Sequence, residues 1–379
     1  MRVAIIKSNY APYGGAEKYT TRLINFFVRN NVEVDVLTSE HGGWDGLQRN
    51  VKMMRLRQFP YNNLLRLLTF NRSVNRYLRS AHYDCVLGMD RTGYQTHLWL
   101  GGGCHRAWIR RRCGECSWLK CLSLKINPFH RTMMEMERRA VSSHALKRIF
   151  CNSNLVRDEL LYFYPETAGK ITVIYNSAEW YEFSKAFEEG SADKDRILEA
   201  LNLRPDRFYY LFLGSGYERK GLSKAIGALR LLPDYAELIV VGKDKHENRY
   251  RALAERPGLA GRVHFFGPRG DVIPFLQISD ASVLPTLYDP CAGASIEALA
   301  MGLYTITSSA NGASEVIQQG AGSVIRDLRD VGSVAEAMKE AFGVHLSKRE
   351  IRETVRHLDF ETQMGKIVTL CIGDMGIKD

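Results

Sequence analysis

Short apolar runs alternate with amphipathic segments along most of the chain. Met1–Ser8 has the continuous apolar character of a buried strand, and Glu17–Asn30 repeats apolar side chains at helical spacing. Val32–Leu37 reads as the next strand, and Phe208–Gly214 followed by Leu222–Leu231 repeats the pattern of strand and helix in the second half. Strands that alternate with helices in this way predict an α/β fold built on parallel sheets.

One stretch in the second half shows the repeating unit most clearly. The apolar run Ala281–Leu284 leads into a loop that contains Asp289, and a helical pattern begins at Ala294. Gly302 is placed to end this helix, and Leu303–Thr307 reads as the following strand. The N–H groups at the start of such a helix bind phosphate and sugar oxygens well.

Two sets of charged residues in the second half suggest a ligand site. Asp289 in the loop and Glu297 in the helix are carboxylates that can hold sugar hydroxyls, although a structural helix with a surface acid is the alternative. Arg219 and Lys220 precede Gly221 at a helix start, where two cations can hold a diphosphate; the alternative is a solvated pair. The remaining candidates for donor contact are Gly216, Asp244, Cys291, Ala292 and Gly293.

These motifs resemble those of the retaining glycosyltransferases of family 4, which have the GT-B fold. The family pattern of two glutamates separated by seven residues corresponds to Asp289 and Glu297, and the family's Arg-Lys-Gly is present as Arg219, Lys220 and Gly221. The first acid is shortened to Asp, and Tyr304 stands where the family usually has Pro. The resemblance implies two Rossmann-like domains facing each other across a deep cleft.

The resemblance also assigns roles in the first half of the chain. Gly14 and Gly15 match a loop near the donor diphosphate, with an ordinary tight turn as the alternative, and Glu17 matches a position near the acceptor. His105 follows three glycines, and the resemblance implies that it stabilises the reacting sugar; a structural histidine is the alternative. Asp90 and His97 are further candidates for acceptor contact. The expected catalytic residues are therefore His105, Asp289 and Lys220.

The length of 379 residues fits two domains. We expect an N-terminal acceptor-binding domain over residues 1–178, with residues 360–379 packing back on it. A polar linker over 179–205 and a donor-binding domain over 206–359 complete the expected organisation. The sequence Asp193-Lys194-Asp195 lies in a polar helical stretch, which makes it a chance match to the DxD motif of metal-dependent sugar transferases. We expect no cofactor and no divalent metal.

Positive charge is concentrated in the first half of the chain. Residues 1–180 carry a net charge of +13, whereas the remainder carries −3. Within 106–131, Trp108 and Trp118 are interleaved with Arg110, Arg111 and Arg112. Aromatic residues beside cations favour an interfacial segment on an anionic membrane, although RNA could bind the same mixture.

The cysteines and the N-terminal sequence indicate where in the cell the protein is expected. Eight cysteines without a secretory signal favour reduced thiols. The irregular spacing of Cys104, Cys113, Cys116 and Cys121 is only a weak indication of a metal site, because zinc prefers a second close pair of ligands. We therefore expect a cytoplasmic protein attached peripherally to the inner face of the membrane.

The combined expectation is a metal-independent retaining hexosyltransferase. Within the family, the chain is similar to the enzymes that transfer glucose to the lipopolysaccharide core. The expected donor is a nucleotide sugar, UDP-glucose, and the expected acceptor is the lipopolysaccharide core or another lipid-linked glycan. The alternatives are a GT-B enzyme with a soluble or capsular acceptor and a non-catalytic RNA-binding protein. For the expected hexosyltransferase, we expect no nucleic-acid partner.

Overall fold

The computed structural model of the chain describes residues 1–9, 15–41, 44, 46–48 and 50–375, and it leaves out the side chains of residues 15–18 and 190–192. The chain divides into two compact units. The first consists of Met1–Ile174 together with Gln363–Asp379, and the second of Tyr175–Thr362.

The first unit is built on a seven-stranded parallel sheet in the order β3-β2-β1-β4-β5-β6-β7. Its strands are β1 Arg2–Ile6, β2 Glu33–Thr38, β3 Lys52–Arg55, β4 Cys85–Gly88, β5 His97–Trp99, β6 Arg148–Cys151 and β7 Ile171–Val173. Its helices are α1 Gly15–Arg29, α2 Asn63–Leu78, α3 His105–Glu115, α4 Trp118–Ile126, α5 Pro128–Val141 and α6 Asn154–Phe163. The strand order reverses between β1 and β4, which makes the carboxyl ends of these two strands the expected place for a ligand.

The second unit repeats this architecture with a six-stranded parallel sheet in the order β10-β9-β8-β11-β12-β13. The strands are β8 Phe208–Leu213, β9 Ala236–Val241, β10 Val263–Gly267, β11 Ala281–Leu284, β12 Tyr304–Ser308 and β13 Gly322–Ile325. The helices are α7 Trp180–Ala200, α8 Tyr217–Lys220, α9 Leu222–Leu229, α10 Glu247–Ala254, α11 Ile273–Ile278, α12 Gly293–Ala300, α13 Val331–Lys339 and α14 Lys348–Glu353. The order reverses between β8 and β11.

The second sheet is buried because helices cover both of its faces. Residues of β8 alternate between two apolar clusters, with Tyr209 and Leu211 in one and Tyr210 and Phe212 in the other. Strands buried on both faces are continuous in apolar residues, which is why the sequence pattern is so clear here. The expected Rossmann-like architecture is confirmed in each unit.

Residues 179–205 are not a linker, and this part of the expected domain organisation is wrong. Most of the segment forms α7, whose Trp180, Phe183, Ala186 and Leu198 are buried in the core of the second unit. Charged residues between these positions gave the segment a polar composition, although its apolar residues share one helical face. Asp193 pairs with Arg196, and Lys194 pairs with Asp280, so neighbours within the second unit hold the first two residues of the DxD sequence.

The chain returns to the first unit through its last helix, α15 Phe360–Gly373. Its residues Met364, Ile367, Val368 and Cys371 are buried at positions separated by one helical turn. None of the described helices is long and apolar enough to cross a membrane.

Candidate active site

Gly221 brings the Arg-Lys-Gly sequence against the loop that follows β11. Its φ of +79° lies in the left-handed region, and a Cβ at this position would collide with the carbonyl oxygen of Pro285. Two hydrogen bonds hold the same two segments together. The backbone N–H of Leu287 (2.8 Å) and the hydroxyl of Thr286 (2.9 Å) both donate to the carbonyl oxygen of Arg219. The glycine therefore joins the ends of β8 and β11, where the order of the second sheet reverses.

Lys220, Arg219 and Asp289 form an ion-pair cluster at this junction. Lys220 Nζ lies 2.6 Å from Asp289 Oδ2, and Arg219 NH1 lies 2.7 Å from the same oxygen. Lys220 is 8% exposed and Asp289 is 7% exposed, whereas 43% of the Arg219 side chain is exposed. Lys220 is therefore not one of a solvated pair of cations, because it is buried against the Asp289 carboxylate.

The cluster keeps Asp289 ionised. Burial acts to raise the pKa of the Asp289 carboxyl, but the charges of Lys220 and Arg219 hold that pKa below its usual value. Arg219 has five N–H donors and Lys220 has three, and the contacts to Asp289 use only some of them. The cluster thus carries one excess positive charge and donors that an anionic ligand can use.

Helix α12 begins beside this cluster, as the sequence predicted. Ile296, Leu299 and Ala300 are buried, whereas Gly293, Ala294 and Glu297 are partly exposed. The N-cap residue is Ala292, whose methyl side chain cannot cap the N–H groups of the first turn. The exposed side of the helix start therefore combines backbone N–H groups with the Glu297 carboxylate.

Asn311 fixes the loop between Asp289 and α12 and was not singled out from the sequence. Its side-chain oxygen accepts hydrogen bonds from the backbone N–H groups of Ala292 (2.9 Å) and Ala313 (3.1 Å), and its amide nitrogen donates to Thr307 (2.9 Å). Cys291 is buried, which raises the pKa of its thiol to about 12, and its carbonyl oxygen accepts from Asn176. Cys291 and Ala292 therefore contribute the loop's backbone, not a reactive side chain.

Asp244 has a positioning role in the structure. One carboxylate oxygen accepts from the N–H of Tyr217 and the other from the N–H of His246, each at 2.8 Å. Gly216, at the start of α8, has a φ of +78°, and its N–H donates to the carbonyl oxygen of Lys243. These contacts hold the loops after β8 and β9 together.

In the first unit, two of the predicted residues follow strands at the carboxyl edge of the sheet. Asp90 follows β4, accepts from the backbone N–H of Ser8 and lies 3.6 Å from Lys7 Nζ. His105 follows β5 and is the first residue of α3. His97 is the first residue of β5 and is fully buried, so it is not placed to contact an acceptor. Gly14 lies outside the described residues, as does the side chain of Glu17. The backbone of Gly15 and Glu17 belongs to α1.

Glu137 organises the surroundings of His105 and was missed as a functional residue. This carboxylate is fully buried and accepts from the backbone N–H groups of His105 (2.6 Å) and Arg106 (3.3 Å) and from Arg91 Nε (3.0 Å). It thereby satisfies N–H groups at the start of α3 and places negative charge at the positive end of the helix dipole. The sequence signal for this role was a carboxylate placed near the apolar residues Met136 and Ala140, both of which are buried in the structure.

The imidazole of His105 is set up to stay neutral near pH 7. It stacks on Trp108 with ring centroids 5.5 Å apart, and its Nε2 lies 3.2 Å from Nδ1 of His130. Burial, followed by the positive charge of Arg91, lowers the pKa of His105 to about 4. A neutral imidazole can donate and accept hydrogen bonds.

The predicted membrane residues divide into two groups. Trp108 is half-buried against His105 and His130, Arg110 lies over the ring of Tyr162, and Arg111 pairs with Glu159 at 2.8 Å. Arg112 also has an interaction partner. Trp118 is different, since it lies on α4, which has no buried residue.

The cysteines of this region form no single site. Cys113 and Cys121 form a disulfide that joins α3 to α4, with Cα atoms 4.7 Å apart, so the expectation of eight reduced thiols is wrong for this pair. Helices α3 and α4 follow each other closely in the chain and pack together, which brings these positions together. Cys104 contacts Glu137, and Cys116 is a free thiol.

The comparisons with known proteins agree with this geometry. Two parallel-sheet Rossmann-like units, with charged residues at the strand-order reversal of the second, define the GT-B class. The family model described as Glycosyltransferase Family 4 matches residues 13–178, and the one described as Glycosyl transferases group 1 matches residues 193–356. The chain belongs to these glycosyltransferases.

Several individual proteins are similar over nearly the whole chain. The lipopolysaccharide glucosyltransferase WaaG of Escherichia coli K12 is 23% identical over 366 residues, which cover 94% of each chain. A crystal structure of WaaG superposes with a TM-score of 0.83 at 20% identity, over 98% of this chain and 100% of that one. The structure of Anabaena HepE in complex with UDP-glucose has a TM-score of 0.72 at 15% identity, over 99% of this chain and 100% of that one.

Proposed function

We propose that this glycosyltransferase moves glucose from UDP-glucose to the lipopolysaccharide core or another lipid-linked glycan, with retention of the anomeric configuration. The observation that carries the proposal is the ion-pair cluster of Lys220, Arg219 and Asp289 at the point where the order of the second sheet reverses. The functions of the similar proteins support the choice of sugar and acceptor, since WaaG is a lipopolysaccharide glucosyltransferase and HepE was crystallised with UDP-glucose.

The leaving group of this reaction is a nucleoside diphosphate, which gains negative charge as the glycosidic bond breaks. Arg219 and Lys220 are proposed to bind that charge, together with the N–H groups at the start of α12. Donors fixed in place before the reaction are effective because they need no reorganisation in the transition state. Asp289 supports this role by holding both cations at one oxygen, Oδ2.

The two carboxylates are proposed to bind the donor's hydroxyl groups. Glu297, on the partly exposed side of α12, is assigned to the ribose. Asp289 Oδ1, the oxygen not used by Lys220 or Arg219, is assigned to the sugar. Gly14, Gly15 and Gly216 are assigned to backbone approach near the diphosphate, and Asp244 to the support of the loop around Gly216.

The proposed chemistry requires neither a cofactor nor a divalent metal, because the two cations and the helix N-terminus supply the positive charge. The acceptor hydroxyl attacks the face from which the diphosphate departs, and the departing phosphate takes the acceptor's proton. His105 is proposed to stabilise the sugar through hydrogen bonds of its neutral imidazole. Glu17 and Asp90 are assigned to the acceptor.

Peripheral attachment to the cytoplasmic face of an anionic membrane is the proposed location. The supporting observation is the exposure of Trp118 (73%), Leu119 (61%), Leu122 (48%) and Ile126 (62%) on α4. These side chains lie beside the exposed Lys120 and Lys125. An apolar helix face flanked by lysines is suited to the interface of an anionic bilayer, where a lipid-linked acceptor is found.

The donor assignment is tested by thermal shift and calorimetry with UDP-, GDP- and ADP-glucose, each in EDTA and in Mg²⁺ or Mn²⁺. A ligand at about 100 times its dissociation constant stabilises the protein by about 2.7 kcal/mol. We expect the largest stabilisation from UDP-glucose, and we expect it to persist in EDTA. Preference for another nucleotide would contradict the UDP assignment, and binding that needs Mg²⁺ or Mn²⁺ would contradict metal independence.

Transfer itself is tested with UDP-glucose and purified lipopolysaccharide core lacking its terminal glucose. The anomeric configuration of the product is then read by NMR. We expect an α-linked product from the α-linked donor; a β-linked product would rule out retention. Transfer to soluble or capsular glycans but not to lipid-linked core would favour the alternative acceptor.

A further inference from the structure

A buried group of metal-ligating side chains lies in the first unit, apart from the residues assigned to the reaction. It consists of Cys85 at the start of β4, His97 at the start of β5 and Cys371 in the last turn of α15. One potential ligand atom from each residue lies within 4.8 Å of the other two. All three residues are fully buried.

The sheet register and the last helix bring these residues together. His97 is paired with Leu87 across β4 and β5, and Cys85 is two residues before Leu87 on the same strand. Because side chains alternate between the faces of a strand, Cys85 and His97 lie on one face of the sheet. Helix α15 packs there and adds Cys371, which is 286 positions from Cys85 in the chain.

A second set of contacts orients the imidazole of His97. Nδ1 lies 2.9 Å from the Thr96 hydroxyl and 3.2 Å from Cys85 Sγ, and Nε2 lies 3.2 Å from the Asp374 carboxylate. The Thr96 hydroxyl also lies 3.2 Å from the carbonyl oxygen of Val86, to which it can donate when Nδ1 binds a metal. Asp374 is held in turn by Arg148, whose Nε and NH2 each donate to it at 2.7 Å. In a neutral imidazole, the nitrogen whose N–H donates to a carboxylate leaves the lone pair of the other nitrogen for a metal, which is the arrangement found around metal-bound histidines.

We propose that Cys85, His97 and Cys371 bind a zinc ion through their two sulfur atoms and Nδ1, with water as the fourth ligand. Two thiolates and a neutral imidazole balance the charge of Zn²⁺, so the loaded site has no net charge to bury. Tetrahedral zinc with its usual bond lengths requires an N···S distance of about 3.5 Å and an S···S distance of about 3.8 Å. The observed 3.2 Å between His97 and Cys85 needs only a small adjustment to meet this.

The position of the site indicates a structural role. Cys85 and His97 begin their strands, so they lie at the amino edge of the sheet, opposite the carboxyl edge that holds Asp90 and His105. Zinc at this edge would fasten α15 to the sheet after the chain has returned from the second unit. Because the three ligands come together only in the folded chain, zinc binding would stabilise the fold directly.

The test begins with the full-length protein prepared without chelator and under reducing conditions. We expect elemental analysis to find about one zinc per chain, and X-ray absorption to find two sulfur neighbours at about 2.3 Å and one imidazole nitrogen at about 2.0 Å. This measurement needs no variant, so it remains decisive if substitutions prevent folding. Absence of zinc after incubation with Zn²⁺, or a shell without sulfur, would overturn the proposal.

Variants then locate the ion. Cys371→Ser and Cys85→Ser should each lower the bound zinc to below about one tenth of an equivalent, since a structural site rarely survives the loss of a thiolate. Cys151→Ser is the matched control, because Cys151 is another fully buried free thiol of the same unit, and it should retain the zinc. Cobalt binding to the wild type should also give a thiolate-to-metal charge-transfer band that Cys371→Ser lacks.

Two other outcomes would overturn the proposal. If replacement of Cys116 removes the zinc while Cys371→Ser retains it, the zinc is bound in the α3–α4 region. A disulfide between Cys85 and Cys371 in the protein purified without reductant, shown by peptide mass before and after reduction, would make the pair a redox link in place of a zinc site.

Discussion

Lys220 and Asp289 are 69 positions apart in the chain and meet as an ion pair that is almost fully buried. Removal of one member of a buried pair leaves the other charge without its partner, a change that costs several kcal/mol when no second partner exists. Arg219 contacts the same oxygen of Asp289 and limits this loss. Lys220 therefore contributes to stability as well as to the proposed binding of the diphosphate.

The first prediction is that Lys220→Ala lowers turnover by about 10²–10³, because a fixed positive charge near the leaving group is lost. It should also lower the melting temperature, since Asp289 remains buried with one cation. Lys224→Ala is the matched control, because Lys224 is a half-exposed lysine one turn further along the chain. Turnover within threefold of wild type, measured well below the melting temperature, would exclude Lys220 from the reaction.

At the scale of single elements, α4 is unusual because it contributes no buried residue while its apolar side chains face outward. Helices of folded proteins normally bury their apolar side against the core. Here the disulfide between Cys113 and Cys121 joins the helix to α3. The arginines of α3 contact Tyr162 and Glu159 of α6, so within the expected interfacial segment 106–131 the large exposed apolar side chains are those of α4.

The second prediction is that α4 binds anionic membranes. Each cation near the surface contributes roughly 1 kcal/mol, and the exposed Trp118 and Leu122 add apolar burial. In vesicle co-sedimentation, Trp118→Ser with Leu122→Ser should weaken binding at least tenfold. Leu231→Ser, at an exposed leucine of the second unit, is the control and should bind as wild type does.

Salt and lipid composition separate the possible partners of α4. Binding should fall at about 0.5 M salt, where screening is strong, and in vesicles without anionic lipid. A protein that ignores vesicles but retains RNA in a salt-dependent way would show that the membrane assignment is wrong. Failure to bind either would leave α4 as a cover over the acceptor.

At the scale of the whole molecule, the buried titratable groups make stability depend on pH. The pKa of His105 is lowered to about 4, so the unfolded chain binds more protons than the folded chain between that value and the ordinary histidine pKa of about 6.5. The contribution of this group to the free energy of unfolding is therefore fully present above about pH 6.5 and is lost as the pH falls toward about 4. The carboxyls of Asp289 and Asp374, whose pKa values are lowered, add a further loss below about pH 4.

The third prediction is that the melting temperature falls steadily from pH 6.5 to pH 4.5, and that His105→Gln removes much of this slope. The neutral amide keeps hydrogen-bonding capacity but takes up no proton in this range. His345→Gln, at an exposed histidine of the second unit, is the control. An unchanged slope in His105→Gln would show that the imidazole is not kept neutral by burial.

The sequence by itself determined the alternation of strands and helices, because residues a few positions apart fix whether an apolar pattern has the period of a strand or of a helix. It also determined the Arg-Lys-Gly sequence and the spacing of Asp289 and Glu297, since each lies within one loop and helix. The start of α12 and its end at Gly302 followed from the same local pattern. At Gly302, φ is +72°, and a Cβ would collide with the carbonyl oxygen of Lys348.

Only the tertiary structure decided which distant residues meet. The contact of Glu137 with His105 spans 32 positions, and the group of Cys85, His97 and Cys371 depends on the register of β4 and β5 and on the return of α15. The place of α7 in the second core depended on its packing and not on its polar composition. Packing, strand register and the burial of charge depend on residues that are far apart in the chain, so local sequence patterns do not predict these contacts.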